Sequence, residues 1–141
     1  MKGKLPARFE HYVGAAAFAC GITWFWDFFA SLYFPGQVAL NLTLLSALVY
    51  VEAAFLAAFG LTRRFREKQI PVGIRVGLGS WIANMFFRLI VFDLNEAFWG
   101  VVVYFISFTI GGLLGGLFSR LLHRSGSQTG SHKADNPSGE A

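Results

Sequence analysis

Ile70 to Phe92 reads IPVGIRVGLGSWIANMFFRLIVF, an apolar run broken only by Arg75, Arg88, Ser80 and Asn84. As a helix rising 1.5 Å per residue, a segment of about 23 residues spans roughly 34 Å, enough to cross a hydrocarbon core about 30 Å thick. A water-facing helix of this length would carry a polar face, and this one has none. Three further runs have the same character: Tyr12 to Phe34, Gln37 to Leu61 and Ala97 to Ser119. Pro35-Gly36 turns the chain after the first, and Asp93-Leu94-Asn95-Glu96 turns it after the third. The sequence therefore predicts an all-α, polytopic membrane protein with four transmembrane helices in an antiparallel bundle. Backbone polar groups in lipid must be satisfied within each segment, which favours helical hairpins over an open sheet.

Composition agrees. With 55% apolar residues, 14% charged residues and a mean hydropathy of +0.51, the 141-residue chain is too apolar for an ordinary soluble domain. The transmembrane domain is expected over residues 1–124. From Ser125 to Ala141 the chain is a polar run of Ser, Gly, Gln, Thr, Asn and Pro that can bury no face, so a disordered cytoplasmic tail is expected there.

The bases fix the expected orientation. Lys2, Lys4 and Arg8 precede the first span, and Arg63, Arg64, Arg66 and Lys68 lie between the second and third. Arg120, Arg124 and Lys133 follow the fourth. The two opposite turns carry no Lys or Arg, so the positive-inside rule places both termini in the cytoplasm. The net charge of +4 is spent on these flanks rather than on one basic face, which argues against nucleic acid as a partner. The expected surroundings are a lipid bilayer and either further copies of the chain or a larger membrane complex.

Four ionisable groups lie inside the spans: Asp27, Glu52, Arg75 and Arg88. A charge at membrane depth costs about 2.5–3.5 kcal/mol on insertion scales, so each needs a partner, a water-filled cavity or a role. Asp27 lies roughly 10 Å and Arg88 roughly 6 Å from the outer ends of their spans, while Glu52 and Arg75 fall toward the inner ends. Depth predicts two pairs, Asp27 with Arg88 and Glu52 with Arg75. Trp81 and Asn84 share the helical face of Arg88, and Asn41 falls close to that of Glu52, so they are the expected polar neighbours.

Small residues gather in the inner halves: Ala53 and Ala57 in the second span, Gly73 and Gly77 in the third, and Gly111, Gly112, Gly115 and Gly116 in the fourth. Such strips let helix backbones approach closely. With bulky aromatics outward, they predict a bundle drawn tight on the cytoplasmic side.

Chemistry is sparsely provided for. The single cysteine, Cys20, allows no intrachain disulfide, and His11, His123 and His132 lie outside the spans as drawn. No metal, cofactor or enzymatic activity is expected, because no nucleophile–base constellation or ligand cluster appears. The leading expectation is an accessory or assembly subunit acting through glycine-rich helix packing. The alternative is a small homo-oligomeric transporter or channel using Asp27 or Glu52 with Arg88 or Arg75.

Overall fold

The structure, a computed structural model, describes residues 8–34, 40–64, 68–91 and 98–131. It is all-helical: α1 (Phe9–Tyr33), α2 (Leu40–Arg64), α3 (Gln69–Val91) and α4 (Phe98–Ser131). Each contains a stretch long and apolar enough to cross a membrane. At the start of α1 the Arg8 N–H donates to His11 Nδ1 at 3.0 Å, which satisfies a backbone donor that precedes the helical ladder. α4 continues past the expected end of the fourth span, so residues 125–131 are helical rather than the start of a disordered tail. Extending a formed helix costs little, because each added residue gains a hydrogen bond. The expected tail beyond Ser131 lies outside the described residues.

The helices form a bundle in which α4 packs against α2 and α3, and α1 closes the other side against the same two helices. Among the described residues the backbones of α1 and α4 do not approach one another. A burial rhythm of two inward and two outward residues explains this. Ala53-Ala54 and Ala57-Ala58, Val72-Gly73 and Val76-Gly77, and Gly111-Gly112 and Gly115-Gly116 are buried, with half-buried or exposed pairs between them.

α4 is the centre of this packing. A Cβ added at Gly111 would overlap the Val51 carbonyl and crowd Ala54, and one at Gly115 would meet Phe55 and Ala58. One residue further round, Gly112 lies against Gly73 and Gly77, and Gly116 against Gln69 and Ile70. The glycine doublets thus give α4 two smooth faces, one for α2 and one for α3, at backbone contact. These strips are therefore used within the chain. By contrast, a Cβ at Gly14, Gly21, Gly60 or Gly79 would meet nothing within 4 Å.

Hydroxyls inside the bundle are mostly absorbed locally. Thr62 donates to the Ala58 carbonyl at 2.7 Å, and Ser80 and Ser107 donate to Val76 and Val103 at 2.8 Å. Each bonds one turn back along its own helix.

Candidate functional site: a charged cluster at the junction of four helices

Beyond the glycine contacts, toward the C-terminal ends of α1 and α3, side chains of all four helices meet. α1 contributes Asp27, α2 Tyr50, α3 Arg88, and α4 Tyr104 and Phe108. Arg88 Nη2 donates to Asp27 Oδ2 at 2.5 Å and to the Tyr50 hydroxyl oxygen at 2.6 Å. The Tyr50 hydroxyl donates in turn to Asp27 Oδ1 at 2.5 Å. Guanidinium groups cannot accept, so the Tyr50 oxygen accepts from Arg88 and its proton is committed to Asp27. Both carboxylate oxygens are thereby engaged by protein groups.

Aromatic rings wall the cluster. Tyr50 and Phe108 are both 0% exposed and stack with ring centres 5.6 Å apart. Tyr104 meets the Tyr50 ring edge-on at 4.8 Å, and the Arg88 guanidinium carbon lies 4.5 Å from the centre of the Tyr104 ring. The cation is thus held by a carboxylate, a hydroxyl and a π-face, compensation that a buried charge requires. The Arg88 and Asp27 side chains retain 11% and 23% exposure.

Two neighbours on α3 extend this polar line. Asn84 is buried and Trp81 half-buried, with the Trp81 ring edge-on to Phe105 at 5.2 Å. Asn84 Nδ2 and Trp81 Nε1 are buried donors with no protein acceptor among the described residues. The side chain of Asn41 lies outside the described residues.

The structure brings Asp27 and Arg88 together. It does not bring Glu52 and Arg75 together: both are exposed, and no ion pair joins them. Depth is not the obstacle. Val51 and Ala54 meet Gly111, while Gly73 and Gly77 meet the adjacent Gly112, so Glu52 and Arg75 stand at nearly the same height. Helical phase keeps them apart. Glu52 points about 180° from the middle of the buried face of α2, and Arg75 about 150° from that of α3, at 100° per residue.

Tyr50, Tyr104 and Phe108 are the cluster members that reading the sequence for charges passed over. Tyr50 carried one usable signal: it lies three and four residues before Ala53 and Ala54, on the small-residue face of α2. Ala53 and Ala57 are themselves buried in the core.

No protein-family model matches the chain, and neither a curated protein nor a solved structure matches it. Function must therefore be argued from the geometry alone.

Proposed function

We propose that the protein is an antiparallel four-helix membrane protein, with both termini cytoplasmic, that serves as an accessory or assembly subunit. The antiparallel, membrane-inserted arrangement is supported by the contact order. Along α4, partners on α2 rise in number while those on α3 fall, and the bases flank the spans on one side only. The observation that carries the reading is the double engagement of Asp27. With Oδ1 bonded to Tyr50 and Oδ2 to Arg88, the carboxylate acts as a clasp joining α1, α2 and α3. A rigid bundle with an apolar outside then offers its outer faces to other membrane helices. Phe25, Leu48, Phe86 and Leu121 are among the large side chains turned outward.

A transport reading draws on Asn84 and Trp81, whose buried donors continue the Arg88 line inward and suit a passing acceptor or water. The two readings separate in one purification. Native mass measurement in mild detergent is expected to find the chain at fixed stoichiometry with itself or a companion. Proteoliposomes holding the wild-type chain are expected to pass no ion above background. Flux that disappears in Asp27→Asn would replace the assembly reading with the transport one.

A further inference from the structure

Glu52 is the midpoint of α2, twelve residues from either end, and it faces away from the bundle. At the height of Arg75, six residues or about 9 Å above the start of α3, a carboxylate side chain is too short to reach the polar flank. Its neighbours one turn off on the same face, Leu48 and Leu56, are 60% and 49% exposed, and Leu44 one turn further is 58% exposed. Together they form an outward ridge, three leucines with one acid among them.

On the other side of the molecule, α1 and α3 run side by side and leave a groove of about 750 Å³ between them. Its lining combines small residues, among them Ala17, Gly21, Gly79 and Ala83, with large ones such as Phe9 and Phe86. Gly21 and Gly79 are glycines whose Cβ would meet nothing, so this groove is unfilled by the chain's own packing. Arg75 lies one turn inward of Gly79 on the same face of α3, and it is exposed. Because α2 and α3 sit across the bundle from one another, ridge and groove open on different sides.

Resting on the assembly reading above, we propose that the α2 ridge of one copy seats in the α1–α3 groove of the next, pairing Glu52 with Arg75. Three independent matches carry it. The charges are opposite and stand at the same height. The α2 ridge runs antiparallel to α3, so with Glu52 opposite Arg75, Leu48 falls at the level of Gly79 and Leu44 at that of Ala83. At 1.5 Å per residue the ridge from Leu44 to Leu56 is about 18 Å long, the α1 wall from Phe9 to Trp24 about 22 Å and the α3 wall from Gly79 to Phe87 about 12 Å. Leu44 and Leu48 therefore seat between both walls, while Glu52 and Leu56 continue along α1 past the groove's α3 lining, at the level of Arg75. Bulky knobs over small-residue positions are the geometry by which membrane helices pack. Since the two surfaces differ, the contact is head-to-tail and builds a ring or a row rather than a two-fold dimer.

The test is particle mass of the full-length chain in lipid nanodiscs or mild detergent, with helix content followed by circular dichroism. Wild type is expected to exceed a dimer. Glu52→Gln and Arg75→Gln alone should each weaken association about tenfold or more, a change of about 1.4 kcal/mol per tenfold. A one-to-one mixture of those two variants keeps one intact junction and should stop at the heterodimer. The double reversal Glu52→Arg with Arg75→Glu should restore assembly, and Gly79→Leu, which fills the groove, should abolish it at unchanged helix content. Wild-type-like assembly by the single variants, or failure of the double reversal, overturns the proposal. A wild-type chain that is single but bound at fixed stoichiometry to another membrane protein overturns it while leaving the assembly reading standing. A chain that is single and alone overturns both.

Discussion

Arg88 Nη2 and Asp27 Oδ2 stand 2.5 Å apart although 61 positions of sequence separate them. The contact ties the C-terminal half of α1 to α3, and Tyr50 bridges it to α2. Removing one member strands the other in a low-dielectric interior. Arg88→Leu is expected to destabilise the bundle by about 3–5 kcal/mol, whereas Asp27→Leu with Arg88→Leu should cost markedly less. Reversible unfolding in mixed detergent, analysed as a double-mutant cycle, checks this; additive losses would deny the coupling.

Tyr50 acts through its hydroxyl and its ring, and the two contributions separate. Tyr50→Phe keeps the stacking on Phe108 and deletes the bridge, for an expected loss of about 1–3 kcal/mol. Tyr50→Ala also empties a fully buried site and should cost more, about 3–5 kcal/mol by analogy with other aromatic truncations. The same unfolding assay ranks them: an unchanged Tyr50→Phe would mean that the hydroxyl contributes nothing, and equal losses that the ring adds nothing beyond it.

The glycines divide into two classes with opposite expectations. Gly73→Ala, Gly111→Ala and Gly112→Ala push a methyl into a facing backbone and should each destabilise by about 1–3 kcal/mol. Gly14→Ala and Gly60→Ala face open space and should be neutral or gain up to about 1 kcal/mol from helix propensity. Melting temperatures of the five purified variants test the division.

Topology is checked by labelling. A cysteine at His123, near the inner end of α4, should react with an impermeant maleimide only after cells are opened. One at Phe34, just past α1, should react from outside intact cells. The background is Cys20→Ala. Reversed labelling would overturn the cytoplasmic placement of the termini.

Much of the architecture was legible because helices of membrane-spanning length announce themselves by their apolarity, and α1 to α4 begin within three residues of the spans read from hydropathy. Pairing was harder, since depth is a one-dimensional quantity. It matched Glu52 with Arg75 correctly in height and wrongly in direction. The signal that corrects it lies in the same stretch: Ala53-Ala54 and Ala57-Ala58 define the inner face of α2, and Glu52 falls opposite. The glycine strips were legible as packing surfaces but not as to whose helix they meet, because a smooth face carries no address. Nor do Tyr50 and Tyr104 stand out in a chain with 16 Phe, 4 Trp and 4 Tyr.

The order of the cluster along the chain has a consequence for biosynthesis. In a polypeptide entering the bilayer helix by helix, Asp27 emerges from the ribosome 61 positions ahead of Arg88. At about 5–20 residues per second that is an interval of roughly 3–12 s. Tyr50 follows Asp27 by only 23 positions, so its hydroxyl is the first of the acid's two partners to arrive. The nascent first hairpin thus carries a provisional donor for its acid until the arginine is delivered.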